Sequence, residues 1–253
     1  MSVALEARDI TKVYGHVNAL SGANFEVKAG EVTALIGDNG AGKSTLVKIL
    51  SGTETPTSGE ILIDGKPVTI SGPLAARHYG IETVYQDLAL APHLNPVQNM
   101  YLGREVMRSG VMGRLGFMNN AEMRAGSKKA FDDLGATVRN FSGSVGAMSG
   151  GQKQAVAVAR AAAWAKRIVL LDEPTAALGV VQTKNVLDLI RRVRDRGLGV
   201  VFISHSMPHV IQVADEIQVM RLGRRVATYK AKETTMEELV GAMTGAVTQE
   251  KQS

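Results

Sequence analysis

The stretch Gly37-Asp38-Asn39-Gly40-Ala41-Gly42-Lys43-Ser44-Thr45 constrains this chain more than any other, because its residue types ask for a backbone that few folds supply. It reads glycine, four residues, glycine, lysine, serine. Val32–Ile36 before it is apolar enough for a buried strand, and Thr45–Leu50 after it is patterned as a helix. Glycines at 37, 40 and 42 allow positive φ, so successive N–H groups can curl inward toward a phosphate chain while the helix adds its positive N-terminal end. Lys43 then reaches the β- and γ-phosphates as a mobile charge, and the Ser44 hydroxyl is placed to ligate Mg²⁺. A glycine-rich turn into a helix, with no ligand, is the plainer alternative.

Other segments end where a ligand of a parallel sheet would bind. Ile81–Tyr85 reads as a strand delivering Gln86 to the carboxyl edge. Ile168–Leu171 is four consecutive large aliphatics, which suits a strand buried on both faces, and Asp172 and Glu173 stand immediately at its end. Two anions there cost stability unless a cation or a reaction uses them. The residues suggest Asp172 toward Mg²⁺ through water and Glu173 as the group that orients and deprotonates an attacking water. A solvated corner closed by Pro174 is the other reading. Gly199–Ser204 is a further buried strand with His205 at its end, either a structural histidine or a contact to a γ-phosphate. Ser149-Gly150-Gly151-Gln152 opens the helical Lys153–Trp164 as a capping box, and its two glycines also leave the helix end open to an anion. Tyr14, in a Tyr-Gly turn, is open to packing or to stacking on a base.

The remaining elements are read more coarsely. Strands are expected at Leu5–Ile10, Asn24–Val27 and Gly59–Ile63, with an Asp64-Gly65 turn into Val68–Ile70. Residues 87–145 change character, carrying Met100, Met107, Met112, Met118 and Met123 among glycines and arginines, with a helix at Asn120–Leu134. Irregularly spaced methionines favour adaptable core over a partner surface. Helices at Gln182–Arg196, Met207–Ala214 and Met236–Met243 flank a hairpin turning at Leu222–Arg224, and residues 247–253 read as a frayed tail.

Composition excludes some classes. With 253 residues and 45% apolar content the chain can bury a large core. No apolar run approaches the roughly 18 residues of a membrane span, and Arg160 interrupts the alanine-rich 155–165. The first residues lack the basic start and apolar run of an export signal, so the cytosol is expected. The charge of +5 suits an anionic ligand or membrane face. The basic run Arg191–Arg196 reads as a solvated helix end, not a nucleic-acid patch.

Taken in order, Gly37–Thr45, Gln86, Ser149–Gln152, Leu170–Glu173 and His205 resemble the phosphate loop, Q-loop, signature, aspartate strand with catalytic glutamate, and switch histidine of ABC transporter ATP-binding subunits. Tyr14 is similar to the adenine-stacking aromatic. Val84–Leu94, Tyr101–Glu105 and Glu173–Leu178 look like the simple-sugar branch, in its single-cassette form. The resemblance implies an α/β fold: a P-loop NTPase core with a mostly parallel sheet, an N-terminal antiparallel β subdomain, and a helical subdomain inserted at about 87–160 of a domain spanning 1–246. It implies ATP and Mg²⁺ as ligands, with Gly37, Asp38, Asn39, Gly40, Ala41, Gly42, Lys43, Ser44, Thr45 and Tyr14 on the nucleotide. Ser149, Gly150, Gly151 and Gln152 come from a second copy. Ser44, Gln86 and Asp172 serve the metal, and Glu173, His205, Lys43 and Gln86 serve the hydrolysis. Implied partners are a second ATP-binding subunit, membrane permease subunits and an external sugar-binding protein, with no nucleic acid, at the cytoplasmic face of the inner membrane.

Two positions depart from the pattern. Met148 stands where the signature usually begins with leucine, and Gly179 where the family generally has an aspartate that bonds across the dimer. A soluble ABC-type ATPase of DNA or ribosomes would need coiled-coil insertions or tandem cassettes, which the sequence lacks. A nucleotide-sensing module that binds without turning over is the third reading, and replacing Glu173 with glutamine distinguishes it.

Overall fold

The computed structural model describes residues 2–136, 138 and 140–246. The expected frayed tail at 247–253 lies outside them. Two sheets organise the chain. β1 (Val3–Tyr14) and β2 (Val17–Lys28) form a long antiparallel hairpin, and β4 (Ser58–Ile63) and β5 (Lys66–Val68) extend it into a sheet of order β2-β1-β4-β5. Between them in sequence runs β3 (Val32–Gly37), every residue of it buried. It belongs to the second sheet, of order β10-β9-β3-β8-β7-β6. That sheet comprises β6 (Ile81–Val84), β7 (Ile168–Asp172), β8 (Gly199–Ile203), β9 (Glu216–Arg221) and β10 (Arg224–Lys230), parallel except for the β9–β10 pair.

β1 and β2 are each twelve residues, far longer than the apolar stretches that announced them. Their distal ends pair Val13 with Asn18 and Tyr14 with Val17, all four exposed. Ladder ends exposed on both faces, as at Val13-Tyr14 and Val17-Asn18, lack the alternation that a one-sided core imposes. At the other hairpin Arg224 pairs with Arg221, so the turn is the two residues Leu222-Gly223, not the three expected. Val68 closes β5, two residues earlier than the pattern suggested. The six-residue α2 (Pro73–His78) had no sequence signal, being too short for a helical period to show.

The faces of the parallel sheet decide what lies near what. Successive strand residues point to opposite sides. Leu35, Leu170, Val201 and Ile203 share one core with α1 (Lys43–Leu50) and the antiparallel sheet. Ala34, Ile36, Leu171 and Phe202 share the other core with α6 (Gly150–Trp164) and α7 (Val180–Asp195). Helices α1 and α6 are therefore on opposite faces.

The segment before α6 holds α3 (Pro96–Tyr101), α4 (Gly110–Arg114), α5 (Asn120–Asp133) and a 3₁₀ turn at Val145–Ala147. Its methionines divide: Met100 and Met123 are buried as core filler, while Met107, Met112 and Met118 are exposed on a small flap closed by a Met107–Met118 bridge. The chain ends through α8 (Met207–Val213) and α9 (Met236–Thr244), the latter started by a Thr235–Glu238 capping box.

The basic run at the end of α7 stays at the surface as expected, with Arg192 and Arg196 exposed and Arg191 and Arg194 part-buried, and its guanidiniums also find partners. Arg191 pairs with Asp188 at 2.6 Å and donates to the Gln212 carbonyl, and Arg192 donates to the Leu134 carbonyl at 2.9 Å. Arg194 pairs with Asp195 and Asp215, and Arg196 with Asp133. These guanidiniums stitch α7 to its neighbours, which leaves them committed within the fold.

Candidate nucleotide site

The loop after β3 is built as its glycines demanded. Gly37 has φ 154°, and a methyl group on it would lie 2.3 Å from the Met220 carbonyl oxygen. Gly42, at φ 100°, caps α1, and a methyl there would meet Leu20 at 2.7 Å and the Ala19 carbonyl at 2.8 Å. Both positions thus need glycine for room as well as for conformation. Lys43 Nζ folds back over the loop and donates to the carbonyls of Gly37 (2.7 Å) and Asp38 (3.0 Å). Burial pushes its pKa down, against the pull of Glu173, Asp38 and Asp172. Asn39 N–H donates to Asp38 Oδ1, Ala41 is buried, and Ser44 is exposed in the first turn of α1 beside Thr45.

Asp172 is the last residue of β7, opposite Ile203 at the end of β8. Glu173 follows in a left-handed conformation, φ 50°, its N–H donating to the Ile203 carbonyl at 3.0 Å. For a non-glycine residue this costs about 1–2 kcal/mol. The strained turn aims the Glu173 carboxylate at His205, with Oε1 2.7 Å from Nδ1. The Glu173 side chain is 10% exposed and that of His205 74%, so the acid is enclosed and the histidine stands at the mouth. Burial raises the Glu173 pKa, opposed chiefly by His205, and raises that of Asp172, opposed by Lys43 and then His205.

The raised Asp172 pKa has a consequence for stability. A carboxyl whose pKa is higher folded than unfolded is comfortable protonated and costs stability once pH rises through the folded value. Asp172→Asn is therefore expected to raise the melting temperature of the ligand-free protein at pH 8, by about 2 °C, with the gain shrinking as pH falls toward 5. Calorimetry at the two pH values checks it. A lower melting temperature at pH 8 contradicts it.

Gln86 leaves the end of β6 exposed, and together with Tyr85, Asp87, Ala89 and Asp172 it borders an open depression of about 580 Å³. Tyr14 ends β1 beside the hairpin turn, with Lys12 Nζ 5.0 Å from its ring centroid, and β2 of the same hairpin leans on Gly42 through Ala19 and Leu20. The loop, Gln86, Asp172, Glu173 and His205 thus gather at the carboxyl ends of the parallel strands.

The Ser149 segment does not join them. Ser149 caps α6 with its Oγ accepting from Gln152 N–H, while Gln152 Oε1 accepts from Ser149 N–H at 3.0 Å. Ser149 and Gly150 are exposed, and Ser149, Gly151 and Gln152 line a separate groove against Gln182 and Asn185 of α7. The capping box is present, and the helix end beside it is exposed at Ser149 and Gly150. Gly179 caps α7 with no side chain, and Val180 and Val181 after it are exposed. Among the described residues no group of three or more His, Cys, Asp or Glu side chains is placed to hold a metal ion.

Sequence reasoning missed Arg160, whose guanidinium bonds the carbonyls of Leu88 and Ala89 in the loop after Gln86. Its one signal was a lone cation inside an alanine-rich helix.

Known proteins share this arrangement. The sequence profile of the family described as "ABC transporter" matches residues 20–176. The chain is 50% identical over 244 residues to the fructose import ATP-binding protein FrcA of Rhizobium meliloti, covering 96% of this chain and 94% of that one. It is 46% identical to the xylose/arabinose import ATP-binding protein XylG of Sulfolobus acidocaldarius, covering 96% and 95%. Its fold matches a dimeric, post-hydrolysis ATP-binding cassette bound to ADP and Pi, with TM-score 0.74, 26% identity, and coverage of 91% of this chain and 100% of that one.

Proposed function

Because the chain belongs to the ABC transporter family of ATP-binding subunits, we propose that it is the ATP-hydrolysing motor of a monosaccharide importer. The observation that carries the reading is the meeting of Lys43 and the glycine loop with the strand-end pair Asp172 and Glu173, in a chain half identical to a fructose import ATP-binding protein. Residues 1–246 form one ATP-binding domain with a helical subdomain at about 87–160.

The triphosphate lies along the N–H groups of Gly37–Thr45, its base against Tyr14. Lys43 leaves its two carbonyl partners for the β- and γ-phosphates. Ser44, Asp172 and Gln86 are the residues that would hold Mg²⁺, which when bound would supply neutralisation of charge on the phosphate oxygens. Glu173 takes a proton from water as that water attacks the γ-phosphorus and ADP leaves, and its raised pKa suits it to accept one. His205 fixes Glu173 through the 2.7 Å bond and reaches the γ-phosphate from the mouth of the site.

Ser149, Gly150, Gly151 and Gln152 close on the nucleotide of a second copy. Their position across the sheet from α1 supports this, since one chain's own signature helix is on the wrong face to reach its own loop. Two subunits thus clasp ATP between them and part after hydrolysis. Gln86, beside the helical segment, passes that motion to membrane permease subunits fed by an external sugar-binding protein. No helix among the described residues is long and apolar enough to cross a membrane, which fits a peripheral subunit on the cytoplasmic face. The engaged arginines of α7 argue against a nucleic-acid partner.

Reconstitution with its permease and binding protein in vesicles tests the transport reading. A monosaccharide is expected to raise ATP turnover several-fold. Stimulation by an amino acid or peptide instead overturns the substrate class.

A further inference from the structure

Arg160 is a partly buried cation in the third turn of α6, and its two bonds go to main-chain carbonyls: Nη1 to Ala89 at 2.9 Å and Nη2 to Leu88 at 3.0 Å. Burial pushes its pKa down, and the guanidiniums of Arg77 and Arg104 nearby push the same way. The one carboxylate near enough to oppose them, Glu82, is already engaged by Arg104 and, at 3.7 Å, by Arg77. Placing a cation here is costly, so what it holds should matter.

What it holds is strained. Leu88 and Ala89 are consecutive non-glycine residues in the left-handed region, φ 62° and 45°, at about 1–2 kcal/mol each. They follow Gln86 by two and three residues. The forked guanidinium meets the two carbonyls from two separate nitrogens, Nη1 and Nη2, held in one plane, a geometry that an ammonium does not reproduce.

Helix α6 is also the helix that Ser149 opens, eleven residues or about 16 Å upstream. One turn beyond Arg160, Trp164 Nε1 donates to the Met100 carbonyl of α3 at 2.8 Å, and Arg104 sits 4.8 Å over the same ring. One unbroken helix thus fastens the Ser149 end, the loop after Gln86, and α3.

We infer that Arg160 is a positioning residue, whose guanidinium holds Leu88–Ala89 in the left-handed turn that places Gln86 and so couples Gln86 to any movement of the Ser149 helix. This rests on the role given to Gln86 above.

The test is a double-mutant cycle on ATP turnover by the full chain, comparing Gln86→Ala, Arg160→Met and the pair. Each single change is expected to lower kcat about tenfold, with KM for ATP within about threefold of the parent, and the pair should fall no further than Gln86→Ala alone. Arg160→Lys, which keeps the charge but not the fork, should recover only part of the loss. Losses that multiply in the pair, or an Arg160→Met protein with parental kcat, overturn the inference. A Gln86→Ala protein with parental kcat instead removes the role of Gln86 on which it rests. Should Arg160→Met fail to fold, amide exchange in Arg160→Lys decides. Exchange at residues 86–91 is expected to quicken at least about tenfold while α1 is unchanged, and unchanged exchange at 86–91 overturns the inference.

Discussion

Glu173→Gln is expected to cut ATP turnover by at least about a hundredfold while ATP still binds and dimers accumulate. The substitution is nearly isosteric, and the amide oxygen can still accept from His205 Nδ1, so the strained turn at φ 50° and its 2.7 Å contact are preserved. What disappears is the ability to take a proton. The Lys43 loop, Asp172 and the Ser149 helix are untouched, so binding and pairing should persist, and the step that separates the two copies should not occur. Single-turnover hydrolysis measured beside light scattering with ATP checks both halves. Unchanged turnover would strip Glu173 of the role of base.

Lys43→Ala and Ser149→Arg should each abolish turnover, for different reasons. Lys43 closes the glycine loop, and its ammonium donates to two carbonyls of that loop. Removing it leaves the phosphates to backbone N–H groups and the helix end, and ATP affinity is expected to fall at least about tenfold. Ser149→Arg leaves that loop intact and lies on the opposite face of the sheet, so ATP affinity of the isolated chain should hold. A bulky cation at the open end of α6 should stop a neighbour's triphosphate from docking. Equilibrium binding of a fluorescent ATP analogue separates the two defects.

The candidate site residues were legible because each obeys a local demand. Glycines at 37 and 42 stand where a methyl would strike carbonyl oxygens, and Asp172 and Glu173 end a strand of four buried aliphatics. Such constraints act over a few residues and so leave marks in sequence. The continuous apolar runs at 168–171 and 199–203 gave the central strands for the same reason. The outer ends of β1 and β2 did not show, because an antiparallel ladder with solvent on both faces is held by main-chain bonds that any residue supplies. Nor did sequence show that Arg191, Arg192, Arg194 and Arg196 are tied to partners from 1 to 63 positions away, since a charge run reads alike whether solvated or engaged. Arg160 was hidden similarly, its partners lying 71 and 72 residues earlier in the chain. Which face of the sheet carries α6 is a matter of topology alone, yet it is what separates Ser149 from Lys43.

That separation supplies the most direct measurement, made on a one-to-one mixture of Lys43→Ala and Ser149→Arg chains. Each protein alone should be inactive. In a mixed dimer the intact loop of one chain meets the intact Ser149 of the other, and about a quarter of the parental turnover should return, since half the dimers are mixed and each has one whole site. Activity that stays absent on mixing, or a Ser149→Arg protein that hydrolyses ATP by itself, would contradict a site shared between two copies.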